Sequence, residues 1–178
     1  MIFKPAEILG VFYVTLELHE DDRGYFTRVF CQNEFHWAGI DDFNIVQINQ
    51  AFTKQPGVLR GLHWQTKPKE EAKFFQCLQG EVFDVLADVR PDSPTFGKWM
   101  GTKLSAGEKK LLFIPKGLAH GYETLSENCV VQYMVSEFYS PEVEIGIRWN
   151  EPFFKIKWPL EPKFISEKDS NLPDFQKP

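Results

Sequence analysis

The chain has 178 residues, a formal net charge of -5, and 43% hydrophobic against 25% charged residues. That length and composition suit one globular domain spanning residues 1–178, and the negative balance excludes a surface built to attract nucleic acid or an anionic membrane. No run approaches the ~20 apolar residues of a membrane span, the start lacks the pattern of a secretory signal, and Cys31, Cys77 and Cys129 have no paired spacing, so a reducing cytoplasm is expected.

Short apolar runs then follow one another between turn residues. Val11–Leu18 reads as a strand, closed by the turn Asp21-Asp22-Arg23-Gly24, with Tyr25–Phe30 after it. Residues 33–39 have room for one helical turn. Val46–Phe52 leads to a turn at residues 54–57 and then Val58–Gln65. Lys73–Leu78 and Glu81–Val89 flank Gln79-Gly80, the strongest hairpin signal in the chain. Trp99–Leu104, Lys110–Ile114, Val130–Tyr139 and Ile145–Trp149 complete the set, and a Pro- and Lys-rich tail from Trp158 is expected to wrap the surface. Runs this short and evenly spaced, rich in Val, Phe and Tyr, predict an all-β antiparallel double-sheet sandwich or barrel with short helical turns. The 17 Phe residues suit a thick aromatic core between two sheets.

Four places could carry chemistry. In Arg60-Gly61-Leu62-His63, strand alternation would send Arg60 and His63 to opposite faces, unless Gly61 hosts a bulge that re-aims them. In Pro115-Lys116-Gly117-Leu118-Ala119-His120, the spacing matches the second cupin motif, whose His can ligate a metal. The first motif is incomplete here: His63-Trp64-Gln65 supplies a single imidazole, so a stable three- or four-ligand site is not expected. Tyr133, Val135, Glu137 and Tyr139 share a strand face, on which a phenol can donate a proton into a cavity. Tyr139 would lie roughly 20 Å from Tyr133 along a continuous strand. Residues 166–170 read on their own as solvated tail. Each place also has a plain structural explanation in packing or exposure.

Taken together, in order and spacing, these segments resemble the dTDP-4-dehydrorhamnose 3,5-epimerase family over nearly the full chain. The matching pieces include residues 22–26, 46–50, 57–65, 80–85, 88–90 with 92–97, 114–121, 146–149, and 158–160 with 166–169. The resemblance implies a cupin-like jelly roll, a homodimer, and a reaction that uses no metal and no other cofactor. It places His63 as general base, Asp169 as the carboxylate that orients it, and Tyr133 as general acid. It places Lys73 and His120 along the sugar pocket, Arg23 and Arg60 at the nucleotide diphosphate, and Gln47, Asn49, Tyr139 and Lys168 among the substrate-binding residues. Departures fall beside these positions: Arg28 where many members are acidic, Ala51 where Ser is common, and Met134 where Lys is common.

The implied roles are chemically coherent. A hydrogen α to a ketone needs a positioned base, and imidazole titrates near neutrality, at about 6.5. A cation offsets charge on the enolate oxygen. Inversion needs a second donor facing the base across the substrate. Arginine suits diphosphate capture. On this reading Asp169→Asn costs less than His63→Ala, since orientation and imidazolium stabilisation alone are lost. Three rivals stand beside a 3,5-epimerase: a 3-epimerase on a dTDP or other nucleotide sugar, a metal-dependent cupin, and a non-catalytic sugar-nucleotide binding module.

Overall fold

A computed structural model describes residues 1–177. Its strands are β1 (Ile2–Pro5), β2 (Phe12–Thr15), β3 (His19–Asp21), β4 (Gly24–Phe26), β5 (Gln47–Thr53), β6 (Val58–Gln65), β7 (Lys73–Gln79), β8 (Glu81–Asp88), β9 (Trp99–Ser105), β10 (Lys110–Ile114), β11 (Leu118–Thr124), β12 (Cys129–Val135), β13 (Glu144–Gly146) and β14 (Phe164–Ile165). Two short helices, α1 (Gln32–Trp37) and α2 (Glu167–Ser170), complete the chain. One sheet runs β1-β2-β10-β7-β12-β5; the other runs β13-β6-β11-β8-β9, with β14 added in parallel to β6. This is the expected cupin-like sandwich.

Most sheet neighbours are distant in sequence, and that overturns one local expectation. Gln79-Gly80 is not a hairpin: β7 pairs with β10 and β12, whereas β8 pairs with β11 and β9. The turn instead carries the chain from one sheet to the other. Gly80 sits at φ +76°, and a Cβ there would lie 2.6 Å from Ser126 Oγ. A glycine with positive φ serves a sheet-to-sheet corner as well as a hairpin, and nothing local to the turn distinguishes the two. The strand β11, buried along its whole length between β6 and β8, was hidden beneath the motif at residues 115–121.

The aromatic residues also pack differently from expectation. Between the sheets the apolar contacts come from Leu86, Leu104, Leu112, Ile114 and Val131, and Phe75 is the phenylalanine of that central cluster. Phe35, Phe43, Phe74 and Phe113 form a second cluster with Val14 and Leu111. It covers the far side of the first sheet with α1 and its flanking loops; Phe35 and Phe43 stack at 5.4 Å. A third cluster, with Phe154, Ile147 and partly buried Trp158 and Phe175, backs the other sheet. Large rings on the outer faces leave the space between the sheets to smaller side chains and to a cavity.

Candidate active site

That cavity, of about 730 Å³, opens between the sheets. The first sheet contributes Gln47 and Asn49 from β5, Lys73 and Phe75 from β7, and Tyr133 from β12. Register explains the grouping: Tyr133 lies opposite Phe75 on one side and Asn49 on the other, and Lys73 opposite Val135. The second sheet contributes Arg60 and His63 from β6 and His120 and Tyr122 from β11.

Arg60 and His63 reach one cavity because β6 is irregular at Gly61. His63 pairs with His120 and Arg60 with Tyr122, so two residues of β6 oppose Gly121 alone, and the register shifts there. The shift sends Leu62 outward, into the cluster behind the sheet. Gly61 has φ +109°, and a Cβ would lie 2.6 Å from the His120 carbonyl oxygen. The bulge expected from the sequence is therefore present, and glycine is required on two independent counts.

His63 is backed by Asp169, 106 residues later: Nε2 lies 2.8 Å from Oδ1. The tail delivers this carboxylate. β14 docks beside β6, Ser166 caps α2 by accepting from Asp169 N–H at 3.1 Å, and the carboxylate turns inward, 4% exposed. The expectation of a solvated tail fails here because a parallel strand pairing ties it down. Gly61 N–H donates to the other oxygen, Oδ2, at 3.1 Å. Burial alone would raise the Asp169 pKa, but the hydrogen bond and charge of His63 and the Gly61 amide outweigh it and hold it below the usual carboxylate value. Asp169 is thus ionised at neutral pH and accepts only, so the hydrogen bond between them is donated by His63 Nε2–H.

A second imidazole–carboxylate pair lies alongside. His120 Nε2 is 2.7 Å from Asp84 Oδ2, and Asp84 Oδ1 has no partner. Burial raises the Asp84 pKa against the opposing charges of His120 and Lys73. Across the cavity, burial raises the Tyr133 pKa, with further upward pressure from Glu71 and Glu144 and an opposing effect of Arg60. Its phenol is therefore protonated at neutral pH and able to donate. Gln47 Nε2 donates to Asn49 Oδ1 at 2.8 Å, which orders the β5 side of the cavity.

Tyr139 also lines the cavity, although the sequence spacing put it far away. β12 ends at Val135 and the chain bends back, so strand rise no longer measures the separation. Its hydroxyl lies 3.3 Å from Glu144. Two expected site residues stand apart. Lys168 is at the rim, its ammonium held by Glu144. Arg23 sits on the β3–β4 hairpin, 89% exposed and paired with Asp21, outside this cavity. The cavity also includes Glu144 and Tyr122, which the sequence reading passed over, and Glu71, to which it gave no part in binding the substrate. Glu71 was within reach of pattern alone, two positions before Lys73 and so on its face; Asp84 needed the register between β8 and β11. Among the described residues, no group of three or more His, Cys, Asp or Glu gathers as a metal-ion site, and each cavity imidazole already has its own carboxylate.

Residues 5–177 match the family described as dTDP-4-dehydrorhamnose 3,5-epimerase. The chain is 41% identical over 172 residues to the dTDP-4-dehydrorhamnose 3,5-epimerase of Methanothermobacter thermautotrophicus, covering 95% of this chain and 91% of that one. It superposes on the Bacillus anthracis dTDP-4-dehydrorhamnose 3,5-epimerase, solved with TDP and PPi bound, at TM-score 0.93 and 36% identity, covering 98% of this chain and 100% of that one. It also superposes on a 3'-monoepimerase of Streptomyces bikiniensis, solved with dTDP-quinovose, at TM-score 0.88 and 31% identity, covering 96% and 86%.

Proposed function

The chain belongs to the dTDP-4-dehydrorhamnose 3,5-epimerase family, and from that premise we propose that it inverts C3 and C5 of dTDP-4-dehydro-6-deoxyglucose with His63 as base and Tyr133 as acid. The observation that carries the reading is that these two groups project into one cavity from opposite sheets. A flat enolate held between them loses a proton to one face and regains one on the other.

The steps balance without an outside reagent. His63 Nδ1 takes the α-hydrogen; the C–H pair becomes the enolate, and Asp169 stabilises the imidazolium that forms. Lys73 faces the enolate oxygen with its ammonium. The Tyr133 O–H then breaks as the new C–H forms on the opposite face, and the two side chains return to their starting protonation through solvent. C3 and C5 both flank the C4 ketone, so the same chemistry serves both centres in turn. His120 lines the sugar pocket, Arg60 holds the nucleotide diphosphate, and Gln47 and Asn49 line the ligand pocket, with Tyr139 and Lys168 at the rim. Arg23 acts on the diphosphate only in a homodimer, where its exposed hairpin reaches the cavity of a second copy. The enzyme works in the cytoplasm on a soluble nucleotide sugar; no described helix is long and apolar enough to cross a membrane.

The test is solvent labelling. Incubated in D₂O with dTDP-4-keto-6-deoxyglucose, the protein should incorporate deuterium at both C3 and C5 and yield the inverted sugar. Label at C3 alone would make it a 3-epimerase, the activity of the Streptomyces bikiniensis relative. Tyr133→Phe should keep α-hydrogen exchange but lose inversion by about 10²–10⁴. Inversion near the parent rate in that variant would remove Tyr133 as the acid.

A further inference from the structure

We infer that Glu71 is a positioning residue of this site: its carboxylate seats the Lys73 ammonium in the cavity that Tyr133 also lines. The inference rests on the two-sheet mechanism above and adds a residue to it.

Glu71 and Lys73 flank Ala72, which is buried in the cluster behind the first sheet. Alternation therefore turns both charged side chains inward, and both line the cavity. Lys73 Nζ is 2.8 Å from Glu71 Oε1, and each side chain is 12% exposed. A cation this enclosed needs a counter-charge, and the cavity offers more than one. Asp84, beneath His120, also feels the Lys73 charge. Glu71 decides between them: it holds the ammonium on the side of β7 and β12, one diagonal step from Tyr133 in the strand register, instead of letting it drop toward Asp84.

The same carboxylate acts on Tyr133. After burial, the Glu71 charge is the strongest influence favouring the protonated phenol. The other groups facing that phenol are Arg60, which opposes, and Glu144, which reinforces. His63 with Asp169 and His120 with Asp84 face the cavity from the second sheet, and Tyr122 and Tyr139 complete its titratable groups. Removing the Glu71 charge leaves Arg60 less opposed, so the phenol ionises at lower pH. A phenolate cannot deliver the second proton.

Glu71→Gln, close in size, separates this role from packing. With ¹³C-labelled tyrosine and the Tyr133 resonance assigned by its loss in Tyr133→Phe, the phenol should titrate at lower pH in Glu71→Gln than in the parent. In alkaline buffer, inversion should fall several-fold more than α-hydrogen exchange, which does not use Tyr133. KM should change little, since Arg60 holds the diphosphate. Glu71→Asp, which keeps the charge, should restore much of the phenol titration. An unmoved Tyr133 titration with an unchanged ratio of inversion to exchange overturns the inference. The titration needs no turnover: if the parent inverts no dTDP sugar, the proposed function fails while the NMR arm still decides the role of Glu71.

Discussion

Asp169→Asn probes the hydrogen bond that sets the tautomer of His63, the proposed base. Asp169 serves two donors: His63 Nε2 on Oδ1 at 2.8 Å and the Gly61 amide on Oδ2 at 3.1 Å. A carboxylate satisfies both, whereas an amide has one acceptor oxygen. The Gly61 N–H is backbone and cannot reverse, so the new carbonyl stays with it and the new NH₂ turns toward His63. Two donors cannot face each other. His63 then moves its proton to Nδ1, and the nitrogen that should receive the substrate proton is already occupied. The opposite amide orientation keeps the tautomer but sets NH₂ against the Gly61 N–H, a buried unsatisfied donor worth about 1–3 kcal/mol. Either way the imidazolium formed in the reaction loses its charged acceptor, about another 1.5–3 kcal/mol. At 1.36 kcal/mol per decade these sum to roughly 10²–10⁴ in rate. Sequence alone ranks this substitution below His63→Ala; the Gly61 hydrogen bond narrows that gap. Asp169→Ala, which leaves room for water and lets His63 keep its tautomer, should retain more activity than the amide. The assay is loss of the α-hydrogen signal from dTDP-4-keto-6-deoxyglucose in D₂O, with ¹⁵N-histidine spectra reading the tautomer and a melting curve confirming the fold. Asp169→Asn exchanging within about tenfold of the parent, with Nε2 still protonated, would refute the reasoning.

Other consequences follow from the same geometry. Arg60→Ala should weaken dTDP binding by about 10–100-fold, the equivalent of a charge-assisted hydrogen bond, and flatten its salt dependence by calorimetry; unchanged affinity would make Arg60 structural. Gly61→Ala combines φ +109° with a Cβ 2.6 Å from a backbone oxygen, so it should cost about 3 kcal/mol or more, read as a melting-temperature drop of roughly 6–12 °C. Asp88 links stability to pH. Burial opposes its ionisation, but hydrogen bonds from Arg90, Ser93 and Thr95 prevail and hold its pKa below the ordinary value. A carboxylate whose folded pKa is lowered stabilises above its unfolded pKa and loses that contribution as pH falls through the folded one. Asp88→Asn should therefore destabilise at neutral pH and flatten the acid side of the stability curve; an unchanged slope would show that another carboxylate governs it.

Short, evenly spaced apolar runs rich in Val, Phe and Tyr were enough to read an all-β sandwich or barrel, since run length and composition are local whatever the strand pairs with. Val58–Gln65 and Lys110–Ile114 even have their observed ends. The conflict between Arg60 and His63 was legible too, and with it the demand on Gly61, because alternation and glycine's freedom are both local. Pairing was not legible. Gln79-Gly80 looks the same whether its strands meet or part, and Tyr139 comes back to the cavity only because β12 stops at Val135. The phenylalanines could be counted but not assigned to a side of a sheet. The pairing of Asp169 with His63 across 106 residues was reached from the sequence only through the family resemblance, and what only the tertiary structure decided is that Asp84 meets His120 across 36. Such contacts depend on register between strands far apart in the chain, and register is set by the summed packing of whole faces, a quantity that no short stretch of residues contains.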